Sequence, residues 1–159
     1  MSKCNKVFMG AVCAAVMLAA TSALAADTQT MTVSAAVLGV CKFTSSAYTM
    51  TFTNIDPASV ASATQTTTIG YKCTKNTGPA AITFAGGATG TIVSLPGVGT
   101  PANTLPVTLS WTNPVTLGSG FGVASTPISF AVTGTITAAN FSNAPADTYT
   151  TGVLVAILP

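Results

Sequence analysis

The side chains able to do chemistry are few. The chain has 159 residues, among them three Asp (Asp27, Asp56 and Asp147), five Lys and no Arg, Glu or His. Acid–base and nucleophilic catalysis draw chiefly on His, on paired carboxylates, or on a cysteine beside a base. Without His there is no Ser-His-Asp triad, no Cys-His pair and no His-ligated zinc. Without Arg there is no bidentate clamp for a phosphate. Asp56 and Asp147 stand beside turn residues, where a carboxylate accepts hydrogen bonds from its own local backbone. Gly118-Ser119-Gly120-Phe121-Gly122 has the glycines of a phosphate loop but neither the following Lys-Ser/Thr nor a helix pattern, so it reads as a turn. The expectation is a structural or binding protein rather than an enzyme, with no cofactor and no metal.

The charge that is present belongs largely to the start of the chain. Residues 1–25 read as a secretory signal peptide: Lys3 and Lys6, an apolar run over 7–20, then Ala23-Leu24-Ala25 as an A-x-A cleavage signal. The run is shorter than the ~20 residues of a membrane-spanning helix. Cleavage leaves Lys42, Lys72 and Lys75 against Asp27, Asp56 and Asp147, a neutral chain with no basic patch for nucleic acid. Cys4 and Cys13 leave with the signal. Cys41 and Cys73 remain, and two cysteines in an exported chain normally pair. A metal site would need further ligands that the chain lacks.

The body reads as strands. Thr, Val and Ile suit a pleated, half-buried surface, and Gly, Pro, Asn and Ser recur about every ten residues, as in a sandwich or barrel. Polar and apolar residues alternate over 30–35, 48–52, 68–73, 105–111 and 128–136. Residues 153–158, Val-Leu-Val-Ala-Ile-Leu, are apolar throughout, the pattern of a strand covered on both faces. The Gly- and Pro-rich stretch 86–101 reads as a long loop, and 58–63 as at most one helical turn. Trp111, Phe121, Phe130, Phe141 and Tyr149 could line a ligand site, but aromatics on alternating strands are more often core. Thr-rich, uncharged surfaces also occur on ice-binding proteins; along the chain we find no regular T-x-T repeat at a fixed spacing. Residues 27–40 place Met31, Val33, Ala35 and Val37 on one face of an extended pattern. That stretch is either an ordinary first strand or a strand given to another molecule.

Several stretches, in this order, resemble the spore coat protein U family, which includes the pilin subunits of archaic chaperone–usher pili. Val33-Ser34-Ala35-Ala36-Val37 followed by Cys41 is similar to the family's N-terminal extension and first Cys strand. Met50-Thr51-Phe52-Thr53-Asn54-Ile55-Asp56-Pro57 is similar to its "FGxYDP" element, with Thr53 for Gly and Ile55 for Tyr. Thr66-Thr67-Thr68-Ile69-Gly70-Tyr71-Lys72-Cys73 resembles its second Cys strand. Val132-Thr133-Gly134-Thr135-Ile136 and Ala146-Asp147-Thr148-Tyr149-Thr150-Thr151-Gly152-Val153 are similar to its "YGxIP" and "AGTYSDTV" elements. Residues 86–125 do not contribute to the match.

The resemblance implies an all-β, immunoglobulin-like sandwich over 41–159 that lacks its final strand, preceded by a donor-strand extension over 26–40. Val153, Val155 and Ile157 are then the strand beside the gap. Met31, Val33, Ala35 and Val37 are the residues that fill the same gap in the next subunit, by donor-strand exchange. The expected partners are a periplasmic chaperone, an outer-membrane usher, and identical or related pilin subunits in a head-to-tail polymer. The expected role is that of a shaft subunit of a cell-surface pilus supporting adhesion and biofilm formation, exported through the periplasm. The rival expectation is a self-contained secreted β-sandwich that coats a surface or binds carbohydrate.

Overall fold

A computed structural model describes residues 27–79, 81–85 and 87–159. The expected signal peptide lies outside the described residues. The described chain is all-β apart from one short helix. Its strands are β1 (Cys41–Phe43), β2 (Ala63–Cys73), β3 (Ala81–Phe84), β4 (Thr91–Pro96), β5 (Thr104–Trp111), β6 (Ile128–Ile136) and β7 (Val155–Leu158); helix α1 (Ala138–Phe141) precedes β7. β1, β2, β6, β5 and β4 pair in that order in one antiparallel sheet, and β3 pairs with β7 in a second.

Alternation decides which side chains meet. On β2, Ile69, Tyr71 and Cys73 point inward and are buried; on β5, Leu105, Val107, Leu109 and Trp111 do the same, and on β6, Phe130, Val132 and Ile136. Their outward neighbours are mostly Thr and Ser, because successive residues of a strand face opposite sides. Ile82 and Phe84 of β3 join the same core from the second sheet. Aromatic rings link the two sheets: Phe84 lies 4.5 Å from Trp111 between centroids, and Phe130 meets both Phe84 and Tyr71 edge-on. Trp111, Phe130 and Phe141 are therefore core; Phe121 is exposed, and Tyr149 packs on the core's margin.

Cys41 and Cys73 face each other in the β1–β2 register and are joined by a disulfide across a sequence separation of 32. In the chain-entropy description a loop of this length contributes about 3.7 kcal/mol. Replacing both cysteines with Ser is expected to lower the unfolding free energy by about that amount in denaturant titration. Alkylation of the wild-type protein, read by mass spectrometry, should find neither Cys41 nor Cys73 free; two free thiols would contradict the pairing.

The structure corrects several sequence expectations. The stretch read as a loop contains β4: Val93 and Leu95 turn inward while Ile92 and Ser94 turn outward. Six residues of alternation were hidden by the Gly and Pro residues that flank them. Residues 58–63 form no helical turn. Asp56 Oδ1 accepts from the Ala58 N–H at 2.9 Å, closing a local turn, and Ala63 already opens β2. The one helical turn is instead α1, whose Phe141 is buried. Residues 153–158 are not covered on both faces, since Leu154 and Leu158 are 78% and 54% exposed, and the strand begins only at Val155.

The chain divides into two units, 1–35 and 36–159. Within the first, the described residues 27–35 carry no strand, against the expectation for 30–35, and Met31 and Val33 are exposed.

Candidate functional site

The 36–159 unit carries an apolar cleft of about 180 Å³. Its floor is the inner face of the large sheet: Thr67 and Ile69 from β2, Val132 from β6, Val107 and Leu109 from β5, and Val93 and Leu95 from β4. Phe84 of β3, with Thr151, Val153 and Val155, forms one wall. Tyr48, Thr49, Met50 and Phe52 form the other. The lining carries no Lys and no Asp.

Both walls have backbone to spare. β7 pairs with β3 along one edge, and its other edge has no strand partner among the described residues. The opposite wall alternates in burial as its sequence does, with Tyr48, Met50 and Phe52 half-buried and Thr49 and Thr51 exposed. Yet it joins no ladder among the described residues. It is tied to β2 through side chains: the Tyr48 hydroxyl donates to the Gly70 carbonyl at 2.7 Å and accepts from the Gly70 N–H at 3.1 Å, while the Thr67 hydroxyl donates to the Thr49 carbonyl at 2.7 Å. Residues 50–55 make no backbone hydrogen bond among the described residues. Gly134 lets this wall approach the floor, since a Cβ there would collide with Met50 Sδ and lie 3.0 Å from Phe52 Cζ.

An apolar cleft flanked by idle backbone donors and acceptors has the chemistry to take an extended chain. An extended peptide can bond to the walls through its main chain and put alternate side chains on the floor. Of the acceptor residues expected from sequence, Val153 and Val155 line this cleft, while Ile157 packs against the core farther along β7 without lining it. Of the donor residues, Met31 and Val33 are exposed, as are Ala35 and Val37. The missed contributors are Tyr48, Met50 and Phe52. Their alternation was visible, but what they face depends on Gly134, far away in sequence.

The remaining candidates for chemistry are structural. Gly118 is buried, its amide donates to the Thr77 carbonyl at 2.7 Å, and a Cβ there would strike the Cys73 and Thr74 carbonyls. The glycine-rich stretch is thus an irregular loop packed on the end of β2, and the turn follows it over 122–125. Among the described residues no three of His, Cys, Asp and Glu gather in a metal-sized group, and no helix is long and apolar enough to cross a membrane. Tyr71 Oη is buried with no hydrogen-bond partner among the described residues, and burial pushes its phenol pKa up.

Asp147 is a latch. Its carboxylate accepts from the N–H groups of Gly99 at 3.1 Å, Thr100 at 3.0 Å and Thr148 at 2.7 Å. The Gly99 bond is the largest cause holding its carboxyl below the ordinary carboxylate range; desolvation opposes it, and the Thr100 and Thr148 bonds reinforce it. Val98 N–H also donates to the Thr148 carbonyl at 2.8 Å, fastening the loop after β4 to the segment that leads into the Thr151–Val155 wall. A carboxyl with a lowered folded-state pKa stabilises above its ordinary pKa, and that stabilisation is lost as pH falls through the folded value. Amide exchange by NMR should therefore show Gly99 and Thr100 losing protection on acidification through and below the normal Asp range. Asp147→Asn should lose part of that protection already at neutral pH. Protection indifferent to both changes would show that the latch bears no load.

Set against known proteins, the chain matches no family model, no curated protein and no solved structure.

Proposed function

We propose that this protein is a structural subunit of a secreted, chaperone–usher-type pilus of the spore coat protein U kind, polymerising by donor-strand complementation. The observation that carries the reading is the apolar cleft between two walls with unused backbone groups. Connectivity supports it. An immunoglobulin-type sandwich places strands A, B, E and D in one sheet and C, F and G in the other. Here β1, β2, β6 and β5 lie in the order A-B-E-D, with β4 added at the outer edge, and β3 and β7 pair as C and F do. The position that G would take is the free edge of β7, beside the cleft.

The proposed guest is the 26–40 extension of a neighbouring subunit, with Met31, Val33, Ala35 and Val37 toward the floor. Before assembly a periplasmic chaperone lends a strand to the same cleft, and an outer-membrane usher hands the subunit on. Head-to-tail donation does not close on itself, so the product is a filament. The filament would stand at the cell surface and serve adhesion and biofilm formation.

Size-exclusion of the exported protein, purified without a chaperone, tests the reading. The expected result is a ladder of linear multimers that resist mild detergent. A stable, closed monomer would favour the rival, a self-contained sandwich that coats a surface or binds carbohydrate.

A further inference from the structure

We infer that neighbouring subunits also join end to end by charge: the end of one copy that carries Lys42, Lys72 and Lys75 docks on the end of the next that carries Asp56 and Asp147. The inference rests on donation of the 26–40 extension and adds a second contact to it. The neutral sum of charges beyond residue 25 hides a polarity. Lys42 and Lys72 are cross-strand partners at the Cys41–Cys73 end of β1 and β2, and Lys75 follows directly after that end. Asp56 borders a recess with Ala63, Thr64 and Gln65, at the other end of β2. Asp147 is bonded to Gly99 and Thr100, in the loop just past Pro96. Pro96 pairs with Thr104, which opens β5, and the register from β5 through β6 to β2 puts that end of the sheet on the Ala63 side. Eleven residues of β2, at about 3.3 Å each, hold the two ends about 30 Å apart. That is several Debye lengths, so the two groups of charge do not neutralise each other within one subunit.

The two carboxylates stand beyond the ends of the two cleft walls, at the same mouth. Asp56 comes shortly after Phe52 of one wall, and Asp147 shortly before Thr151 of the other. The lysines stand at the root of the donor. Thr74, between Lys72 and Lys75, donates its N–H to the Val40 carbonyl at 2.9 Å and its hydroxyl to the Leu38 carbonyl at 3.1 Å. The same hydroxyl accepts from the Val40 N–H at 3.1 Å. Leu38 and Val40 are therefore fixed at the lysine end, and Val37, the last guest residue, directly precedes them. There is no slack: the mouth that Val37 occupies comes within about 10 Å of the donor's lysine end. Charge selects which mouth that is. At the Asp56–Asp147 mouth opposite charges meet, and Asp27, about 33 Å back along the extended guest, reaches the acceptor's own lysine end. Entry from the other mouth would set lysines against lysines and Asp27 against Asp56 and Asp147. Opposite charges across an interface speed docking and fix its register, and like charges oppose it. The Lys42–Lys72 pair points the same way. Like charges directly opposite in a ladder are destabilising, and a second copy's carboxylates relieve that repulsion.

The test is the growth of multimers, followed by light scattering, as the purified protein refolds from denaturant with its disulfide intact. Wild type is compared with K75E, D56K and the double variant, each at low salt and at 1 M salt. Lys75 and Asp56 are exposed, and neither lines the apolar cleft. Wild-type growth should slow severalfold in 1 M salt, where the Debye length falls to about 3 Å. K75E and D56K should each grow about tenfold more slowly than wild type at low salt. The double variant restores opposite charges at every junction and should recover most of the loss, the signature of a direct coupling. If D56K folds poorly, D56N replaces it, since its amide oxygen can still accept from the Ala58 N–H; it should slow growth and flatten the salt dependence. Multimers that form but ignore both salt and the substitutions overturn the inference and leave donor-strand exchange standing. Loss in both single variants without recovery in the double also overturns it, and gives the lysines to a different partner. Failure of a synthetic 27–40 peptide to bind the folded subunit lacking 26–37 sinks donor-strand exchange itself, and this contact with it.

Discussion

Deleting residues 26–37 is expected to abolish fibre growth while leaving a folded subunit that still binds its chaperone. The buried core is drawn from Ile69 to Phe141, and the partly buried residues packed on it run from Cys41 to Ile157, so the deletion removes no core side chain. The disulfide, both sheets and both cleft walls also lie outside the deleted stretch. What the deletion removes is the proposed donor segment. The truncated subunit should therefore cap a growing end, since it can accept a strand but cannot give one. Electron microscopy and detergent-resistant ladders read the outcome. Adding a synthetic 27–40 peptide should occupy the cleft and raise the thermal midpoint, because a ligand that binds only the folded state stabilises it. Normal polymerisation of the truncated subunit would sink donation by this segment.

Val33→Asp is expected to weaken the fibre almost as severely, by a different route. A buried Val contributes about 1.5–3 kcal/mol relative to an exposed one. The replacement also brings a carboxylate against a lining that has no Lys to receive it. A charge buried without a partner costs several kcal/mol, on the order of 3–5 where removal of a partner has been measured. At ~1.4 kcal/mol per factor of ten, subunit exchange should shift by two powers of ten or more. Thr32→Asp is the matched control. A strand points successive residues to opposite faces, so that carboxylate should remain in solvent and leave the fibre's melting in detergent nearly unchanged. Equal effects of the two substitutions, or none from Val33→Asp, would show that the register is wrong.

How far the sequence could be read depended on how local each feature is. β5, β6 and the second half of β2 alternate over six residues or more, so their existence and inward faces were legible from residue order. The cysteine pair was legible from the count of cysteines beyond the expected signal segment. β4 was not, because only six residues of alternation stand between glycine- and proline-rich flanks. The 48–52 segment was read as an ordinary strand. Its burial alternates as expected, but its place in the ladder is taken by the Tyr48 hydroxyl, which satisfies both backbone groups of Gly70. The extended pattern of 30–35 has no pairing in the described residues, since alternation signals what a segment could do beside a partner strand, not whether one is present.

By itself the amino-acid sequence determined an all-β body, a near-empty inventory of catalytic groups, and a disulfide between Cys41 and Cys73. Each follows from composition or from a period of two, properties that neighbouring residues carry without reference to the rest of the fold. Only the tertiary structure decided that β3 pairs with β7 in a sheet of its own. Only it set Met50 and Phe52 over Gly134 to wall an apolar cleft, and put Lys42, Lys72 and Lys75 at one end of the large sheet with Asp56 and Asp147 at the other. Those features depend on the register between segments tens of residues apart. That register is chosen by the fit of the whole core, which no single stretch of chain encodes.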